Sequence, residues 1–121
     1  MEKRMKALRI YVSNTDKAKH DSLYESIAFA AQRYGLSGVT VYKGLMGYGS
    51  SSELHSSKFW ELTEKVPVII EAIDEAEEID AFVTHITPWI KEQGKGCLVT
   101  SQDVEILLCQ KVLLKKFDLH L

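Results

Sequence analysis

The chain has 121 residues, 45% of them hydrophobic, which suits one domain whose core hides roughly two thirds of the unfolded surface. Its 15 Lys and Arg against 17 Asp and Glu leave a formal net charge of -2, so no global positive field recruits nucleic acid or an anionic membrane, and any anion site must be local. No apolar stretch reaches membrane-span length, MEKRMKALRI lacks the apolar run of a signal peptide, and the two cysteines, Cys97 and Cys109, have no C-x-x-C spacing; these features predict a reduced, cytoplasmic chain without membrane insertion.

Leu8, Ile10 and Val12 alternate with Arg9 and Tyr11, the period of a half-buried strand, and Ser13-Asn14-Thr15-Asp16 supplies a turn. From Ser22 the positions Leu23, Ile27, Ala30, Ala31 and Tyr34 recur at helical spacing. Ser22 with Glu25 forms a capping-box pattern, and Gly35 is the stop. Gly38 to Tyr42 is β-branched and aromatic and reads as a second strand. Gly44, Gly47, Gly49 and Ser50-Ser51-Ser52 then form a loop, because so much backbone freedom is not frozen into a regular element. Val66 to Ile73 is a continuous apolar run with Pro67 near its start, a third strand buried on both faces. Asp74 and Glu77 repeat the capping logic before a helix carrying Ile79, Phe82, Val83, Ile86 and Ile90, with a kink expected at Pro88. Gly94-Lys95-Gly96 breaks the pattern, Cys97 to Val99 is a short extended piece, and Val104 to Leu108 reads as the last strand, which puts the two cysteines in neighbouring strands. Residues 1–121 make a single domain, with 111–121 an apolar and basic C-terminal extension.

The order β-α-β-β-α-β is the ferredoxin-like α+β arrangement, two helices on one face of a four-stranded antiparallel sheet. One layer of helices covers only one face of a strand that is apolar on consecutive residues. Sheets of separate copies are therefore expected to pack on one another.

The segment Gly38-Val39-Thr40-Val41-Tyr42-Lys43-Gly44-Leu45-Met46-Gly47-Tyr48-Gly49 resembles the strand and loop entry of PII signal-transduction proteins, whose pattern runs G-M-T-V, a few residues, then G-F-G. Leu8-Arg9-Ile10-Tyr11, Gly47-x-Gly49-x-Ser51-Ser52-x-x-His55, Pro67-Val68-Ile69-Ile70-Glu71 and Gly96-x-Leu98-Val99-Thr100-x-x-Asp103-Val104 resemble an uncharacterised PII-like family over nearly the whole chain. The resemblance implies a homotrimer with three clefts between subunits, each lined by the loop after the second strand and the glycine turn before the last. In PII proteins those clefts hold adenine nucleotides. Thr40, Gly47, Tyr48 and Gly49 correspond by position to PII residues, and Ser50, Ser51, His55, Lys95 and Gly96 complete the implied nucleotide-binding set.

The surrounding cations do not correspond. Ser50 stands where PII has an arginine, Cys97 replaces a phosphate-facing lysine for which Lys95 is the substitute, and Leu108 and Gln110 fall where two arginines lie on the PII final strand. Each missing cation removes a charge-assisted bond of about 1.5–3 kcal/mol, so AMP or ADP is expected in preference to ATP. Apart from the resemblance, glycine-freed backbone N–H groups and serine hydroxyls suit phosphate, although G-x-x-G-x-G is not a Walker loop.

Several residues carry two readings. His55 is a phosphate or base contact, or a solvated loop histidine. Arg9 faces a subunit cleft, or pairs with Glu71, which needs a partner on an apolar strand. Trp60 and Trp89 read as packing anchors. His20, His55, His85 and His120 have no ligand spacing, and the serines lack a G-x-S-x-G context. The sequence thus predicts a non-enzymatic, PII-like regulator whose segment from Gly44 to about Lys58 responds to an adenine nucleotide and is read by an unidentified protein partner. The alternatives are a trimeric protein-interaction module without a small ligand and a metal-binding trimer of the CutA kind.

Overall fold

Alternation of apolar and polar residues produces β1 (Met5–Ser13), whose Leu8, Ile10 and Val12 enter the core. The computed structural model describes residues 3–47 and 65–111. After β1 the chain makes a ribbon of two short strands, β2 (Lys17–Ala18) and β3 (Asp21–Ser22). Helix α1 (Leu23–Tyr34) follows and ends at Gly35, whose φ of 104° suits a residue without Cβ. Strand β4 (Val39–Lys43), strand β5 (Pro67–Glu75), helix α2 (Ala76–Gln93) and strand β6 (Leu98–Val104) complete the described chain.

The four long strands form one sheet in the order β4-β5-β1-β6, every neighbouring pair antiparallel. Leu23, Ile27 and Ala31 of α1 and Ile79, Phe82, Ile86 and Ile90 of α2 share one buried cluster with Val68, Ile70 and Ala72 of β5, so both helices cover the same face. Burying each of the larger side chains stabilises the fold by about 1.5–3 kcal/mol. Trp89 packs against this cluster, as the anchor reading required.

The ends of the elements differ from the sequence reading in physically informative ways. Ser22 occupies the N-cap of α1, but its hydroxyl donates to Glu25 Oε1 at 2.6 Å and leaves the helix N–H groups alone. Asp74 does not cap α2. Strand β5 runs on to Glu75, which takes the cap position, and α2 continues through Pro88 to Gln93. The last strand is Leu98–Val104, not Val104–Leu108: Ile106, Leu107 and Leu108 are exposed beyond it, Leu107 at 88%. Cys97 precedes β6, Cys109 lies in no strand, and both are free thiols.

Asp74, buried at the end of β5, fastens the α1–β4 connection to the sheet. Its carboxylate accepts the Ser37 N–H at 2.9 Å and the Glu75 N–H at 2.7 Å. Burial pushes its pKa up, but the backbone N–H bonds from Ser37 and Glu75, with the Ser37 hydroxyl and the charge of Lys111, outweigh that and hold it below the ordinary carboxylate value. A depressed folded pKa stabilises the protein above the unfolded value and ceases to do so as pH falls through the folded one. Asp74→Ala strands two N–H donors and is expected to cost about 2–3 kcal/mol in urea unfolding. Asp74→Asn should flatten the loss of stability on acidification; an acid limb identical to that of the parent chain contradicts this role.

Candidate functional site

The sheet face turned away from the helices carries ordered rows across all four strands. Thr40, Glu71, Arg9 and Thr100 lie in register as one row, and Tyr42, Ile69, Tyr11 and Leu98 as the next. Arg9 Nε donates to Glu71 Oε2 at 2.7 Å, Arg9 Nη1 donates to Gln102 Oε1 at 2.8 Å, and the Tyr42 hydroxyl donates to the same Glu71 oxygen at 3.4 Å. The hydrogen bond to Glu71, then that to Tyr42, raises the Arg9 pKa above its ordinary value. Arg9 therefore pairs with Glu71, one of its two readings. Gln102 and Tyr42 escaped sequence reasoning because their place beside the pair depends on register. Ile73, Tyr42 and Leu98 remain 42%, 42% and 58% exposed on this face.

The glycines after β4 have a packing reason of their own. Gly44 N–H donates to the Pro67 carbonyl at 2.8 Å, and a Cβ on Gly44 would lie 2.8 Å from Pro67 Cγ. At Gly47 the same ring carbon is 3.1 Å away. The chain thus crosses the proline ring at both positions. Gly44→Ala is expected to destabilise by about 1–3 kcal/mol through overpacking, read as a lowered melting temperature; an unchanged melting temperature contradicts the close approach.

Lys43 pairs with Val68, Ser13 with Pro67 and Tyr11 with Leu98. The exit of β4, with Gly44 and Gly47, and the entry of β6, preceded by Lys95 and Gly96, therefore lie at the same end of the sheet. They are at opposite edges, three strand spacings or about 14 Å apart. Thr40 stands on the β4 edge, and Lys95 and Gly96 are exposed. Among the described residues, one chain does not bring Thr40 and Gly47 together with Lys95 and Gly96. Tyr48, Gly49, Ser50, Ser51 and His55, with most of the segment from 44 to 58, lie outside the described residues, as does Trp60. Leu108 and Gln110 follow β6 and do not stand on a final strand, contrary to their expected positions. Burial raises the pKa of the Cys97 thiol, which keeps it protonated and unreactive. His85 is exposed and stacks on Tyr34, with ring centres 5.2 Å apart. Among the described residues no group of three or more His, Cys, Asp and Glu is placed to hold a metal ion, and no helix is long and apolar enough to cross a membrane.

Two helices on one face of an antiparallel sheet in this order define the ferredoxin-like fold of PII-like proteins. CPII of Thiomonas intermedia K12, in a structure bound to ADP and bicarbonate, shares it with a TM-score of 0.60 at 21% identity, over 85% of this chain and 88% of that one. A PII-like signaling protein of Thermus thermophilus superposes with a TM-score of 0.57 at 15% identity, over 84% and 87% of the two chains. The family model DUF190, described as "Uncharacterized ACR, COG1993", matches residues 5–106, and this chain belongs to that family. A UPF0166 protein of Aquifex aeolicus is 34% identical over 102 residues, 84% of this chain and 92% of that protein. A UPF0166 protein of Methanocaldococcus jannaschii is 37% identical over 89 residues, 74% of this chain and 82% of its own length.

Proposed function

We infer that this protein is a PII-like regulator that binds an adenine nucleotide, AMP or ADP in preference to ATP, in clefts between the copies of a homotrimer. The observation that carries the reading is the separation just described. Gly44 and Gly47 at the β4 edge and Lys95 and Gly96 at the β6 edge share one end of the sheet but not one edge, so a site that joins these described residues takes the β4 edge of one copy beside the β6 edge of another. The exposed apolar row through Tyr42 and Leu98 and the nearby Ile73 offer the surface on which sheets pack. The fold is shared with CPII, whose structure is known bound to ADP, AMP and bicarbonate. The shortage of cations around the glycines sets the preference for fewer phosphates.

Function follows by population shift: the nucleotide favours one arrangement of residues 44–58, and a protein partner in the cytoplasm reads it without chemistry being done. A ligand that binds only the folded state raises stability by about 2.7 kcal/mol at a hundred times its dissociation constant. The melting temperature is therefore expected to rise with AMP and ADP, and less with ATP. A melting temperature unmoved by all three nucleotides favours the interaction module without a ligand, and stoichiometric metal in the purified protein favours the CutA-like alternative.

A further inference from the structure

On the helix side of the molecule α1, α2 and the β2–β3 ribbon line a cleft of about 410 Å³. Its walls carry Phe29 and Arg33 from α1, His85 and Trp89 from α2, and Lys19 and Asp21 from the ribbon. Phe29 is 52% exposed, the most exposed large apolar side chain on either helix. None of these residues belongs to the sheet face or to the glycine segments, and nothing in the nucleotide reading uses them.

The charge around the cleft runs against that of the whole chain, whose net charge is -2. Lys3, Arg4, Lys6 and Arg9 are each held in an ion pair within the fold. Lys19 and Arg33, like several other lysines of the surface, make no ion pair among the described residues, and the cleft lining carries these two cations against the single carboxylate of Asp21. Lys19 also holds a left-handed backbone, with φ at 59°, a conformation that glycine or asparagine adopts at lower cost. Lys19 in this conformation lines the cleft from the ribbon turn. The lining joins apolar side chains of both helices, Phe29 and Ala30 with Ile86 and Trp89, and an apolar groove between two helices is one in which a third amphipathic helix docks by its apolar face.

We propose that this cleft docks an acidic amphipathic helix of a partner protein, with apolar side chains seated against Phe29 and Trp89 and carboxylates facing Arg33 and Lys19. A second copy does not fit, because its own helix face brings the same Lys19 and Arg33. The chain's own C-terminal residues carry Lys115 and Lys116 against Asp118, again the wrong sign. The inference stands apart from the nucleotide reading and survives its failure.

The test is a selection of random helix-length peptides displayed on phage, panned against the full chain, with recovered peptides resynthesised and titrated by fluorescence anisotropy. Phe29→Ser and Arg33→Glu change exposed positions, and circular dichroism verifies that both variants remain folded. Recovered peptides are expected to be acidic and amphipathic, to lose about tenfold in affinity on either variant, the equivalent of 1.4 kcal/mol, and to regain affinity for Arg33→Glu when one glutamate is changed to lysine. Peptides that are basic or lack helical periodicity, binding that neither variant alters, loss on Arg33→Glu that no charge swap restores, or a selection that recovers nothing each overturn the proposal.

Discussion

Ile73→Asp is expected to leave the chain folded and to reduce its mass in light scattering from that of three 13.7 kDa chains to that of one. Within a single chain Ile73 is 42% exposed, and a polar substitution at such a position changes stability by no more than about 0.5 kcal/mol. Between packed sheets the same carboxylate is buried without a partner. Among the described residues the cation of this face, Arg9, is already committed to Glu71 and Gln102. An unpaired buried carboxylate costs several kcal/mol, and in a trimer the cost recurs at every copy. An unchanged mass for Ile73→Asp would show that this face is not the contact between copies.

The largest effect on the single chain is expected from Phe82→Ala, at about 3–5 kcal/mol in urea unfolding. Phe82 is 1% exposed and heads the fully buried side chains by volume. It also meets the Tyr34 ring edge to face, with centres 5.4 Å apart. Removing it leaves a cavity where α2 rests on the sheet and takes from Tyr34 of α1 one of its two ring contacts. Against a total stability of about 5–15 kcal/mol for a domain of ordinary size, such a loss brings the protein close to unfolding at ambient temperature. A cost below about 1 kcal/mol would mean that the site collapses around the void.

The strands that bury one face were legible because the pleat imposes alternation, and Gly35 announced the end of α1 because a left-handed residue there favours glycine. Strand β6 was hidden by its place at the sheet edge. Thr100, Ser101, Gln102 and Asp103 are exposed and polar on both faces, so what holds them in the strand is backbone bonding to β1, which no side-chain pattern records. The apolar run Ile106-Leu107-Leu108 drew the expected strand the wrong way, although its side chains meet solvent. Asp74 resembled a cap because its spacing to Glu77 is that of a capping box, whereas its burial beside Ser37 arises from tertiary packing.

For the candidate site, the sequence reached the residue types but not their distribution. The closeness of Gly44 and Gly47 to Pro67 depends on a chain crossing, and the separation of Gly47 from Lys95 and Gly96 depends on strand order. Composition carries neither. The pairing of Arg9 with Glu71 was foreseen because an isolated carboxylate on an apolar strand needs a cation, and the register then supplied Gln102 and Tyr42.

The most direct measurement is calorimetric titration of ADP and ATP into the parent chain and into Ile73→Asp. Saturable ADP binding approaching one nucleotide per chain, weaker binding of ATP, and loss of both in the dissociated variant are the predicted result. Undiminished ADP binding by a monomeric variant, tighter binding of ATP than of ADP, or no binding of either nucleotide by the parent chain would contradict a shared site between copies.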